Sequence, residues 1–128
     1  MTTRSVSVSG SAAPSLAWER YADPRQWTDW APQIRRVETV GERIGPGLRG
    51  RVVGPLGIAV TFMVDDVDED ARTWSWSVRV GLIRLKLRHD VVADGPGSRT
   101  RLWIAGPFPV VVAYVPIAAL ALRRLVAP

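Results

Sequence analysis

His89 is the one histidine in the chain, and imidazole is the only side chain whose ordinary pKa lies near neutrality. It falls on the otherwise apolar face of an alternating run, Ile83, Leu85, Leu87, His89 and Val91. Arg84, Lys86, Arg88 and Asp90 form the opposite face. A buried imidazole there could take a proton from a carbon next to a carbonyl. Asp66 shares parity with Phe62 and Val64, so it is expected on the same face and could orient the ring. Tyr114, in the apolar last segment, could donate to a developing enolate. The plainer reading is favoured: His89 sits at its strand end, bonded to a backbone carbonyl or to water.

Other chemistries find little support. There is no cysteine, so neither disulfides nor thiolates contribute. With one histidine, a metal site would need carboxylates at unusual spacing, so no metal and no cofactor are expected. No Ser-His-Asp order or paired-carboxylate signature appears. Gly45-Pro46-Gly47 and Gly95-Pro96-Gly97 mark turns, without the strand-to-helix context of a phosphate loop.

The net charge of +5 comes almost wholly from arginine, Lys86 being the only lysine. These arginines are scattered rather than clustered among aromatics, so no nucleic-acid partner is expected. The row Arg84, Lys86 and Arg88 reads as a solvated strand face. Residues 1–10 lack a basic start followed by an apolar stretch, so a cytoplasmic location is expected.

The elements that must position these residues are set by pattern. At 128 residues the chain is expected to be one domain, 1–128, with core enough to need no staples. Residues 4–10 alternate as a half-buried strand. Pro14 opens a helix carrying Leu16, Ala17, Trp18 and Tyr21, which Asp23-Pro24 stops. Asp23 caps a second short helix, with Gln26 three residues on as in a capping box. Trp27 and Trp30, three apart, share one face of it. Helices this small cannot bury four large aromatics in each other, so something concave must receive them.

Strands are expected over residues 34–42, 48–54, 58–67, 73–80, 82–93 and 99–105, joined by short turns and hence antiparallel. Trp103 falls on the face opposite Leu102 and Ile104. From Gly106 onward the segment is apolar on every side, with no charge between Arg101 and Arg123. Such a helix is either buried or in a membrane. The apolar sheet face needs a cover, which favours a buried helix or one touching a second copy over membrane contact. Pro116 is expected to kink it.

The run AAPSLAWERYADPRQWTDWAP resembles the start of the START-like, or SRPBCC, superfamily of polyketide cyclases, lipid-transfer domains and birch-pollen-allergen-like proteins. The matching positions are Ala13-Pro14, Ala17-Trp18, Asp23-Pro24, and Trp27 with Trp30 and Pro32. Gly47-Leu48-Arg49-Gly50 looks like that group's Gly-rich entry to its third strand. The strands of Trp74 and Trp76 and of His89 also match in position.

The resemblance implies an α+β helix-grip fold. Its parts are a seven-stranded curved antiparallel sheet, two small helices after the first strand, and a long C-terminal helix over an internal cavity. Strand parity then nominates Phe62, Trp74, Trp76, Leu85 and Leu87 as cavity lining, with Val60 and Val78 beside them and Trp27 or Trp30 at the mouth. Filling is as good a reading as lining for the tryptophans and Phe62. The implied function is binding of a small lipid, aromatic or polyketide-like molecule. The alternative is a polyketide cyclase/dehydrase-type enzyme in which His89, Asp66 and Tyr114 act as acid and base.

Overall fold

Alternating apolar and polar residues become strands. The computed structural model describes residues 1–128. Strand β1 (Thr2–Gly10) leads into helix α1 (Pro14–Ala22), a 3-10 turn at Pro24–Gln26 and the single-turn helix α2 (Trp27–Trp30). Six strands come next: β2 (Arg36–Thr39), β3 (Arg49–Val53), β4 (Ala59–Asp68), β5 (Thr73–Val80), β6 (Ile83–Asp94) and β7 (Gly97–Gly106). Helix α3 (Phe108–Leu125) ends the chain.

All neighbours pair antiparallel, in the order β1-β7-β6-β5-β4-β3-β2. β1 and β2 are thus opposite edges, and α1 and α2 carry the chain from one to the other. Two hairpins turn on two residues. Gly81 and Gly95, both at φ 58°, take the left-handed position that starts each turn.

Asp23 stops α1 and starts the 3-10 turn, its Oδ1 accepting the Arg25 N–H at 3.0 Å. The helix would leave its last carbonyls without partners. Trp30 Nε1 donates to the Arg20 carbonyl and Trp27 Nε1 to the Tyr21 carbonyl, each at 2.8 Å. The two indoles therefore cap α1 while their rings enter the core. The Arg20 side chain reaches from the same end of α1 to the C-terminus of α3, where Nη1 donates to the Leu125 and Ala127 carbonyls.

Two glycines mark close approaches. A Cβ on Gly10 would lie 2.2 Å from the Val126 carbonyl oxygen, where the end of α3 seats on β1. One on Gly50 would lie 2.8 Å from the Phe62 ring.

Helix α3 covers the sheet along one row. Pro116 stands on its exposed side without ending it; the helix runs unbroken from Phe108 to Leu125. Nor is it enclosed. Val111, Ala118, Ala121, Leu122 and Leu125 pack inward, while Phe108, Val112, Ile117 and Leu120 are exposed. The helix is long and apolar enough to cross a membrane, but its inward row completes the core against the sheet.

Candidate functional site

The concave side of the sheet divides into a filled part and a hollow part. In the filled part Trp27, 1% exposed, lies between Phe62, Trp74 and Trp76 with ring centroids 5.2–5.8 Å away. Trp74 continues the stack to His89, 4.8 Å away and nearly parallel at 14°. Of the residues expected to line a cavity, Trp27, Phe62 and Trp74 are therefore interior filling.

The hollow part lies between β3–β6, the connection after α2, and α3. It is a partly open compartment of about 140 Å³ with walls from Val52, Val60, Trp76, Val78, Leu85 and Leu87. Gln33, Ile34, Gly54 and Tyr114 complete it. A narrower extension of about 30 Å³ reaches inward past Trp30 and His89 to Leu102 and Leu122. The lining expected at Trp76, Leu85 and Leu87 is found there, and Trp30 and Tyr114 join it. A larger hollow of about 660 Å³ lies outside the sheet among Arg49, Thr61, Asp65, Ser77, Arg79 and Lys86. It is lined mostly by polar and charged side chains, so it is poorly suited to an apolar molecule. The more apolar compartment under α3 is the better ligand site.

His89 is 4% exposed and fully engaged. Trp76 Nε1–H donates to its Nε2 at 3.1 Å. An indole nitrogen only donates, so Nε2 must hold the lone pair and Nδ1 the proton. Nδ1–H then donates to Tyr21 Oη at 3.2 Å. The Tyr21 hydroxyl donates to Thr100 Oγ1, which donates to the Asp90 carbonyl at 2.9 Å. Every proton in this chain has one direction and one acceptor. Burial pushes the imidazole down to about 3 and the Tyr21 phenol well up. A neutral ring with both nitrogens engaged has no lone pair to offer a substrate.

Asp66 is not beside it. Strand β4 carries a bulge between Val64 and Asp66: Val64 pairs with Trp76 and Asp66 with the next residue back, Ser75. The extra residue, Asp65, reverses the parity of the residues beyond it. Asp66 is consequently exposed on the outer face, and the expected convergence of His89, Asp66 and Tyr114 fails. Asp65 also faces outward, accepting the Ser77 hydroxyl at 2.8 Å.

Tyr114 projects from α3 into the compartment, where Gln33 Nε2 donates to its Oη at 3.0 Å. Burial raises this phenol above its ordinary value, so it keeps its proton. Gln33 Oε1 is buried without a partner. No three His, Cys, Asp or Glu side chains converge as metal ligands.

On the outer face Arg84, Lys86 and Arg88 are solvated, and the Arg88 and Arg101 guanidinium groups stack on Trp103. Asp90, buried beneath, takes a two-pronged contact from Arg101.

A curved antiparallel sheet gripping a long helix over an apolar compartment defines the helix-grip class of proteins. The chain belongs to the polyketide cyclase/dehydrase and lipid transport family, whose sequence model matches residues 1–127. At the level of that family, hydrophobic-ligand binding is supported.

Solved structures agree on the fold. Ara h 8.0201 superposes with a TM-score of 0.78 at 15% identity, over 97% of this chain and 94% of that one. An uncharacterised Bacillus thuringiensis protein gives 0.81 at 12% identity, over 98% and 96%. Protein Ms6760 from Mycobacterium smegmatis gives 0.69 at 18% identity, over 96% and 87%. No curated protein matches the sequence.

Proposed function

We propose that this protein binds a small hydrophobic molecule, of lipid, aromatic or polyketide-like character, in the compartment between the sheet and α3. The observation that carries this reading is the compartment itself. It is partly enclosed, about 140 Å³ in volume, and apolar except for Gln33 and Tyr114. Sites of this composition bind by burying apolar surface, with a few polar groups fixing orientation. A cyclase- or dehydrase-type reaction would also need a base. His89 has none free, Asp66 lies outside, and Tyr114 is an acid alone.

Native mass spectrometry of the purified protein tests the reading by detecting a retained small molecule. Val78→Trp supplies the control, because Val78 is half-buried on the compartment wall. Filling the hollow is expected to lower affinity for a one-ring apolar probe by about tenfold or more, or 1.4 kcal/mol. The stability change should stay within the roughly 1–3 kcal/mol of an overpacked site. Unchanged affinity in this variant would sink the proposal.

The proposed partners are that molecule and a second copy of the chain, with neither nucleic acid nor membrane, in a cytoplasmic setting. Support for the second copy comes from the outer row of α3. Phe108, Val112, Pro116 and Leu120 recur every four residues, with Ile117 beside them. Such a row is self-complementary about a two-fold axis. Native mass spectrometry should show a dimer, and Ile117→Glu a monomer of unchanged circular dichroism. A monomeric parent protein would remove this contact.

A further inference from the structure

Gln33 and Tyr114 are the only polar side chains on the compartment wall, apart from the Trp76 N–H already given to His89. Their mutual hydrogen bond leaves a specific remainder. Tyr114 Oη accepts from Gln33 Nε2, so its own O–H still points for an acceptor. Gln33 Oε1 is buried and still needs a donor. Gln33 and Tyr114, which both line the apolar compartment, therefore leave one donor and one acceptor unmet between them. An unmet buried polar atom costs about 1–3 kcal/mol, so a ligand group that meets both gains accordingly.

We infer that this pair recognises the hydroxyl of a neutral, one-ring phenol, which donates to Gln33 Oε1 and accepts from Tyr114 O–H. The inference rests on the compartment being the ligand site. A hydroxyl is the smallest group that does both jobs. An ether or ketone oxygen meets Tyr114 and leaves Gln33 Oε1 unpaired. A carboxylate repels Oε1 and carries charge into an apolar space, and an ammonium cannot accept from Tyr114. Size argues for one ring, since apolar cavities of about 150 Å³ take benzene. The Trp76 indole on the wall offers that ring a stacking surface.

The test compares p-cresol, 4-methylanisole and toluene by titration calorimetry on the intact chain. Without an anchor, toluene binds tightest, because burying an unpaired hydroxyl is costly. With the anchor, p-cresol is expected to bind about tenfold tighter than either of the others. Q33L and Y114F should each erase that preference, so that p-cresol binds no tighter than toluene in either variant. If toluene binds and p-cresol is no tighter, the hydroxyl inference is overturned and the binding reading stands. If none of the three binds, the compartment is not a ligand site and both readings fall. A p-cresol preference that survives both substitutions would also overturn the inference.

Discussion

Trp27→Ala is expected to destabilise the fold by about 3–5 kcal/mol, the range for deleting a buried tryptophan. The side chain is 1% exposed and meets Phe62, Trp74 and Trp76 with ring centroids 5.2–5.8 Å away. Its removal would open a void that a stack of rigid rings cannot close. It would also strip the Nε1–H from the Tyr21 carbonyl, undoing one of the two indole caps on α1. Against the roughly 5–15 kcal/mol that holds a typical domain together, the loss is large. Urea denaturation measures it directly. Trp27→Phe separates the two contributions: most ring packing stays, and about 1–2 kcal/mol should go with the hydrogen bond and the smaller ring. A near-neutral alanine variant would mean that Trp27 borders a ligand space instead of filling the core.

Regular alternation carried most of the fold. In β5 and β6 one residue in two turns inward without interruption, so the sequence pattern alone places Trp74, Trp76, Leu85, Leu87 and His89 on one face. The same rule failed at Asp66, because parity survives only while the register does. The consecutive pair Asp65-Asp66 interrupts the alternation of β4, and a bulge is what such an interruption becomes. Gln33 lies in the irregular connection after Pro32, where no period assigns a side chain to either face. Its importance depends on α3 bringing Tyr114 to it across 81 residues of sequence.

The aromatic run of α1 and α2 was legible as bulk that needed a concave receiver. Its polar atoms were not legible. Tyr21 matters through a hydroxyl whose partners, His89 and Thr100, are 68 and 79 residues away. Trp27 and Trp30 matter partly through N–H groups aimed at the end of the preceding helix. Helix α3 shows the opposite limit. Uniform apolarity announces a buried face and conceals how wide that face is, and only its inward row is enclosed.

Acid should weaken this protein well above the pH at which carboxylates titrate, and His89 is the reason. In the folded state burial holds its imidazole down to about 3, whereas the unfolded chain protonates near 6.5. Between those values the unfolded state binds one more proton, so stability rises with pH through the window and is fully present above 6.5. The slope approaches about 1.4 kcal/mol per pH unit, or about 2 kcal/mol lost from pH 7.5 to pH 5. Arginine partners hold Asp23, Glu38 and Glu69 below their ordinary values. Their contribution is lost only as pH falls below about 4, so it does not enter between pH 7.5 and pH 5. Urea denaturation at pH 7.5 and pH 5 should show the difference, and His89→Gln should abolish it at whatever stability that variant has. A His89 that titrated near 6.5 in the folded protein would give no such slope. It would also restore the free base that the Trp76 and Tyr21 hydrogen bonds now take away, and with it the case for acid–base chemistry in the compartment.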